Sequence, residues 1–472
     1  MTKAKKIVSI LFILTLLGTA GFVGINVYQK RLETFGILKA TLMPESTITV
    51  INEKLYKNLP RSAWQNLVSR FTRNKNPAGS LIVKLLPNQY KINFSYPGYS
   101  VVEKQIEIKS QQTLDLGKIY LFPVFWPKEE LIQNDSIDQF YVDESMNHLI
   151  FFKKVAKNYE WNIYNRSTKE SQKFYQTSSL PAQAGLPQEI IFSSDSKKII
   201  TMTKDNDWKV VFLPKSLIDT DINLNNEFSI GLKQVNLQTK QSPKIKQIVF
   251  APHGLSDDIL VRTDQGLYRF NYLERTMTQI IDSPLSPFFL SENYLYFIKD
   301  NGLFTSLNLD SLKEQQLSLF SFKDGDKNLD SIIIKKAPQK NTFLIIKDSG
   351  KAYFLNEKTE IPPTLGEMIA NGYFSLTGDF LLLYTKEKKI IIYDLNQEIK
   401  TEKNLYSDSL PQWFLDDNCL LFSNDNQLKI YNLETQETWP VINDLKNSDF
   451  IYDSSLNYIF YLSATGIIKI SL

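Results

Sequence analysis

Aspartates recur at short polar turns in the C-terminal part of the chain, where carboxylates could hold divalent ions or a cationic partner. Asn and Gly accompany them, as in Asp300-Asn301-Gly302 and Asp348-Ser349-Gly350. Tight hairpins require these same residue types, so turn geometry is the preferred explanation of the pattern. The candidate acidic rim consists of Asp205, Asp207, Asp264, Asp300, Asp348 and Asp425.

A second group of oxygen-bearing residues has the alternating spacing of a calcium loop. Its members are Asp324, Asp326, Asn328 and Asp330. Leu329 and Lys335 stand where an EF-hand needs Gly and Glu, so the calcium pattern fails. A solvated loop is the favoured interpretation.

Other reactive side chains are scarce, with one cysteine and two histidines in 472 residues. This excludes an intrachain disulfide framework and a multi-cysteine metal site. His148 and His253 lack companion ligands at metal spacing, and Cys419 is expected to pack as a small hydrophobic residue. No nucleophile elbow, phosphate-binding loop or zinc-protease helix is present, so we predict no catalytic residue, metal or cofactor. A formal net charge of +3 does not indicate a nucleic-acid-binding surface.

The turns belong to a repeat in which an apolar strand, a polar hairpin and a second apolar strand occur eight times. The predicted pairs are Leu149–Val155 with Glu160–Tyr164, Ile199–Thr203 with Trp208–Leu213, Ile259–Arg262 with Leu267–Tyr272, Tyr294–Ile298 with Leu303–Leu309, Phe343–Ile346 with Ala352–Leu355, Phe380–Tyr384 with Ile390–Leu395, Cys419–Phe422 with Leu428–Leu433, and Ile459–Leu462 with Ile467–Leu472.

These repeats predict an all-β fold dominated by a β-propeller over residues 130–472. Each pair is preceded by a short strand and most are followed by a fourth, at about 43 residues per unit, which is typical of four-stranded blades. Eight blades are the first choice, and uneven connections leave seven as the alternative. Because the last unit ends after its third strand, an upstream strand within Leu131–Gln139 or Lys118–Val124 is expected to close the ring.

The N-terminus contains an uncharged run from Ile7 to Gln29, long enough for one membrane-spanning helix. Lysines precede the run, which favours an internal N-terminus (residues 1–6) and an extracytoplasmic remainder. A signal peptide cleaved near Gly18-Thr19-Ala20 is the alternative. An uncleaved anchor over residues 7–29 in the cell membrane is preferred, because apolar residues continue beyond that point.

Between anchor and repeats, residues 36–125 show short strands with alternating apolar and polar side chains, typical of a half-buried sheet. Met43-Pro44-Glu45-Ser46-Thr47, Leu86-Pro87 with Tyr90, and Pro97-Gly98-Tyr99 mark the turns. With these turns the segment resembles the PEGA domain family. The resemblance implies an extracytoplasmic β-sandwich of bacterial or archaeal surface proteins that serves as a spacer or interaction module, without catalytic residues. Ser46 and Thr47 depart from the family's Gly-Ala pair.

An insertion at residues 54–79 interrupts this segment and predicts a basic amphipathic helix. Its apolar stripe includes Trp64 and Phe71 at helical spacing, and basic residues lie outside the stripe. The helix either packs on its own sandwich, which we prefer, or contacts anionic lipid or wall polymer. The candidate contact residues are Arg61, Trp64, Arg70, Phe71, Arg73 and Lys75.

Together these features predict a single-span surface protein whose propeller binds a protein, a glycan or a cell-wall polymer without catalysis. A propeller-type polysaccharide hydrolase or lyase, acting through paired carboxylates in the central channel, is one alternative. An assembly factor of a membrane complex is the other. The sequence leaves the ligand, the binding face and the oligomeric state open.

Overall fold

The computed structural model describes residues 36–43, 47–52, 80–143, 147–156, 158–177, 190–202, 207–213, 221–234, 243–252, 257–322, 329–356, 364–366, 368–396, 399–415, 417–454 and 457–471. The predicted anchor at 7–29 and the predicted basic helix at 54–79 lie outside these residues. Within the described ranges, no helix has the length and apolar character needed to span a bilayer. The chain divides into two compact units, Met1–Trp126 and Pro127–Leu472.

The first unit contains two three-stranded sheets, with strand orders β3-β1-β6 and β2-β4-β5. Strand β1 is antiparallel to β3 and parallel to β6. Buried side chains from both sheets, among them Leu38 and Phe94, form one shared core, as the predicted alternation requires. The strands are β1 (Gly36–Met43), β2 (Thr47–Asn52), β3 (Ser80–Leu85), β4 (Asn88–Ser95), β5 (Val102–Ile108) and β6 (Thr113–Tyr120).

The described residues of the second unit contain eight four-stranded antiparallel sheets. Sheet 1 is β8 (Ile137–Val142), β9 (His148–Val155), β10 (Asn158–Asn165), β11 (Glu170–Thr177); sheet 2 is β12 (Ile190–Phe192), β13 (Lys198–Met202), β14 (Trp208–Phe212), β15 (Ile222–Asn223); sheet 3 is β16 (Ile245–Phe250), β17 (Asp258–Thr263), β18 (Leu267–Asn271), β19 (Thr276–Ile281); sheet 4 is β20 (Phe289–Ser291), β21 (Tyr294–Ile298), β22 (Leu303–Asn308), β23 (Glu314–Ser321).

The other four sheets also consist of strands that are consecutive in the chain, except for the fourth strand of sheet 8. Sheet 5 is β24 (Ile333–Lys336), β25 (Thr342–Ile346), β26 (Ala352–Asn356), β27 (Thr364–Gly366); sheet 6 is β28 (Ile369–Phe374), β29 (Phe380–Thr385), β30 (Lys389–Asp394), β31 (Ile399–Tyr406); sheet 7 is β32 (Gln412–Phe414), β33 (Cys419–Asn424), β34 (Gln427–Asn432), β35 (Thr438–Ile442); sheet 8 is β36 (Leu445–Asp453), β37 (Tyr458–Ser463), β38 (Gly466–Ser471) and β7 (Lys128–Gln133).

The exception is the closing strand β7, which comes from the start of the second unit and pairs antiparallel with β38. The predicted upstream strand donation is therefore confirmed, with bounds that overlap the first of the two expected segments. A Cβ at Gly466 would overlap the carbonyl oxygen of Ile132 in β7, and φ there is 145°. Glycine is therefore needed at this closure point.

Neighbouring sheets pack against each other around a closed circuit. Apolar clusters join sheets 1 and 2, 2 and 3, 3 and 4, 4 and 5, 5 and 6, 6 and 7, and 8 and 1. Between sheets 7 and 8, the Gln412 amide hydrogen-bonds the backbone of Phe450 and Tyr452. Because each sheet is covered on both faces, its central strands are continuous apolar runs such as Phe380–Thr385. This arrangement is a β-propeller.

A recurrent asparagine shapes the hairpins between third and fourth strands. The side-chain oxygens of Asn165, Asn271, Asn308 and Asn432 each accept backbone N–H groups two and three residues later. Such Asx turns give the backbone a local hydrogen-bond partner. They are a second repeat signal in the sequence, beside the strand pattern.

One helix is found among the described residues of the second unit, α1 (Leu224–Gln234). It lies in the connection between sheets 2 and 3 and follows the two-residue strand β15. Phe228 packs edge-to-face on Tyr268 and Phe270 of sheet 3. The helix thereby fills the junction between sheets 2 and 3 with apolar side chains.

Candidate functional site

The sequence-predicted contact residues on the basic helix, Arg61, Trp64, Arg70, Phe71, Arg73 and Lys75, all lie outside the described residues. The same holds for Asp205, His253, Asp324, Asp326 and Asn328. The described members of the acidic rim are Asp207, Asp264, Asp300, Asp348 and Asp425, and each lies at a turn between second and third strands.

Local turn chemistry accounts for much of this rim. The Asp207 carboxylate accepts the Asn223 amide at 2.7 Å, and Asp264 accepts the backbone N–H of Lys244 at 2.8 Å. Asp425 and Asn426 have φ values of 53° and 58°, as the two central residues of a type I′ hairpin require. The contacts of Asp207 and Asp264 therefore stay within their own sheets, and Asp425 forms its own hairpin turn.

Lysines also occupy this rim and give it a mixed charge. The Lys388 ammonium lies 3.2 Å from the Asp408 carboxylate, and Lys386 donates to the carbonyl oxygen of Asp348 at 3.1 Å. Lys209 lies 3.3 Å from Asp207. Among the residues with a described position, no group of three or more His, Cys, Asp or Glu side chains is placed to hold a metal ion.

His148 and Cys419 have structural surroundings. Asp143 is fully buried, accepts the backbone N–H of His148 at 3.0 Å and lies 3.3 Å from its ring Nδ1. Burial raises the pKa of the Cys419 thiol to about 12, which leaves it protonated and poorly nucleophilic. Both residues stabilise the second unit.

A charged cluster links sheet 3 to the connection between sheets 4 and 5. The sequence analysis does not predict it. The Arg262 side chain on β17 is 2% exposed, and its Nη1 donates to the Leu285 carbonyl oxygen at 3.0 Å and to Asp330 Oδ1 at 2.8 Å. Lys246 on β16 donates to Asp330 Oδ2 at 3.0 Å. We call Lys246, Arg262 and Asp330 the carboxylate clamp.

Electrostatics couple the members of the clamp. Burial lowers the pKa of Arg262, although Asp330 opposes the shift, and arginine keeps its charge at neutral pH. Burial alone would raise the pKa of Asp330, but hydrogen bonds and charge from Arg262 and Lys246 outweigh it and lower the pKa. Asp330 is thus an anion held by two cations, which does not suit it to be a calcium ligand.

Comparison among the sheets shows how unusual Arg262 is. It lies four residues before Gly266, the positive-φ residue of its hairpin. The same position, four residues before Gly302, Gly350, Lys388 and Gly466, is occupied in sheets 4, 5, 6 and 8 by Ile298, Ile346, Tyr384 and Leu462. Aligning the hairpins in the sequence would have exposed this substitution of a charge for an apolar or aromatic residue.

A second cation occupies an otherwise apolar position, on the first strand of sheet 5. Lys335 pairs with Leu344, and the residues in the same register of sheets 3, 4, 6 and 8 are Val249, Phe289, Tyr373 and Ile451. Burial lowers the pKa of Lys335. First strands lie against each other around the ring, as the bonds between Gln247 and Phe288 show. Lys335 therefore belongs to the innermost layer of the unit.

Carboxylates on the first strands of the second unit are confined to sheets 1 and 8. They are Asp138, Asp449 and Asp453. Asp453 is buried at the end of β36. The other six first strands carry apolar, amide, hydroxyl or lysine side chains.

Comparison with known proteins adds the following. No family model matches the chain, so none supports the PEGA resemblance, and no curated protein matches it. Among solved structures, the Dos1 propeller has 12% identity and a TM-score of 0.46, covering 73% of this chain and 94% of that one. The computationally designed Ika8 protein has 11% identity and a TM-score of 0.42, covering 72% and 98%. The strand order described above, rather than these distant similarities, establishes the propeller fold.

Proposed function

We propose that this protein is a membrane-anchored extracytoplasmic binding protein. In this proposal residues 7–29 form an uncleaved anchor, the PEGA-like sandwich is a spacer, and the eight sheets are the blades of one eight-bladed propeller. The propeller binds a protein, a glycan or a cell-wall polymer without catalysis. The uncharged run from Ile7 to Gln29 and the sandwich turns support the location.

The observation that carries the binding role is the closure of sheet 8 by β7. Closure joins the last repeat to the start of the unit and leaves only short edge strands on the separate sheets, so the ring forms a stable scaffold. Its faces consist of turns, and turns on a rigid scaffold are the usual location of binding residues. The Asp and Lys side chains of one rim offer a mixed-charge surface for polar partners.

Protease treatment of intact cells that produce the full-length chain tests the location. We expect the bulk of the chain to be digested while a cytoplasmic marker remains intact. If the chain resists the protease until the membrane is opened, the extracytoplasmic placement is wrong. The binding role is then tested by sedimentation with purified wall polymers, using the same chain in a mild detergent.

A further inference from the structure

The carboxylate clamp has the construction of a binding site for an external ligand. Arg262 is buried and uses one nitrogen for two acceptors, while its Nε is buried and has no acceptor among the described residues. An isolated buried cation is costly, and the equivalent positions of four other sheets avoid one. Arg262 therefore needs an explanation beyond filling its place in the ring.

The geometry of the clamp is specific for a carboxylate. Arg262 and Lys246 each bind a different oxygen of Asp330, at 2.8 and 3.0 Å. The carbonyl oxygen of Leu285 shares Nη1 of Arg262 and would repel a further anionic oxygen. A planar group with two oxygens fits this arrangement better than a phosphate dianion.

Asp330 is accessible, whereas the arginine behind it is not. Its side chain is 42% exposed against 2% for Arg262. It belongs to a connection between sheets, whereas Lys246 and Arg262 are fixed on adjacent strands of sheet 3. Water already reaches Asp330, so an external carboxylate could replace it without rearranging either strand.

We propose that Lys246 and Arg262 form a binding site for a carboxylate group of an anionic partner, and that Asp330 occupies this site in the free protein. The inference rests on the proposed binding function and specifies the chemistry of its ligand. Asp330 competes as a tethered group, whose effective concentration is in the millimolar range or above. Its removal should therefore tighten binding of a free carboxylate at least tenfold.

Isothermal titration of the full-length chain in mild detergent with succinate, at constant ionic strength, tests the proposal. We expect weak binding by the unaltered protein, at least tenfold tighter binding by Asp330→Ala, and no binding by Arg262→Met. Asp330→Asn, which preserves side-chain volume, should behave as Asp330→Ala does if the alanine variant folds poorly. Phosphate should bind less tightly than succinate.

A matched control is Asp379→Ala, which removes the carboxylate partner of Lys340 in an ion pair with no buried arginine. It should leave succinate affinity unchanged. The proposal is overturned if only the Asp330 variants bind succinate, if Arg262→Met retains binding, or if phosphate binds more tightly. Because the titration uses purified protein and a small ligand, it can fail or succeed independently of the cellular location.

Discussion

Two buried charges join sheets of the second unit, and their hydrogen bonds differ in completeness. Asp417, 3% exposed in sheet 7, accepts the backbone N–H groups of Leu376 and Thr377 of sheet 6, each at 2.8 Å and each at a different oxygen. Arg262 in sheet 3 instead depends on an exposed side chain and one carbonyl oxygen, and its Nε has no acceptor among the described residues.

The difference separates a structural charge from a candidate binding charge. Backbone N–H groups cannot leave the Asp417 carboxylate unless the turn itself moves, so this contact is part of the fold. Asp330 can leave Arg262 by rotating its side chain. Both side chains are buried, so burial does not distinguish a structural charge from a binding charge. The identity of their hydrogen-bond partners does.

The largest effect is expected for Asp417→Ala. The substitution removes two charge-assisted hydrogen bonds between sheets 6 and 7, and we expect the free energy of unfolding to fall by about 3 kcal/mol. Urea unfolding monitored by circular dichroism measures the change. Asp348→Ala, at an exposed turn, is the control and should shift stability by less than about 0.5 kcal/mol. Equal losses of unfolding free energy in the two variants would show that the hydrogen bonds of Asp417 do not stabilise the contact between sheets 6 and 7.

A smaller loss, of about 2 kcal/mol at pH 7, is expected for Asp330→Ala, because Arg262 then remains buried with fewer partners. The exposure of Asp330 moderates the effect. Since its pKa is lowered in the folded state, its stabilisation is complete above the unfolded value of about 3.9 and is lost as pH falls through the folded pKa. The two proteins should therefore converge in stability in acid, and a difference that persists below this window would exclude the ion pair as its cause.

The strand pattern was predictable from the sequence because every central strand is buried on both faces. All eight predicted pairs correspond to second and third strands, for example Phe380–Tyr384 within Phe380–Thr385. The helix Leu224–Gln234 was not predicted, since its few buried positions, such as Leu224 and Phe228, lie in a polar stretch without strong periodicity.

The carboxylate clamp escaped prediction for a different reason. Lys246, Arg262 and Asp330 are separated by up to 84 residues in sequence, and only the closed ring brings them together. The signal that was available is the internal repeat: in Leu260-Val261-Arg262-Thr263 the arginine stands where Leu344-Ile345-Ile346-Lys347 has isoleucine. The acidic turns were more conspicuous, but their composition follows from hairpin geometry.

Lys335 is a partly buried charge on the first strand of sheet 5, and its replacement by methionine should stabilise the protein by about 1 kcal/mol at pH 7. Because burial lowers its pKa, the folded protein releases this proton at lower pH than the unfolded chain, whose value is about 10.4. As the pH rises from the folded pKa to the unfolded pKa, the free energy of unfolding should therefore increase relative to that of Lys335→Met. Urea unfolding of both proteins at alkaline pH gives the difference, and a constant gap would mean that the ammonium is effectively solvated.

The smallest change in stability is expected for Arg262→Met. This variant tests most directly whether Arg262 is a binding charge rather than a structural charge like Asp417. Methionine has similar reach, and sheets 4 and 5 have isoleucine at the equivalent position, so the apolar surroundings should accept it. Asp330 keeps its ion pair with Lys246. Because the Asp330 side chain is 42% exposed, removing the arginine does not leave its carboxylate buried, and we expect a shift within about 0.5 kcal/mol by urea unfolding. A loss as large as that of Asp417→Ala would instead place Arg262 among the structural charges, because the fold would then depend on its bonds to Leu285 and Asp330.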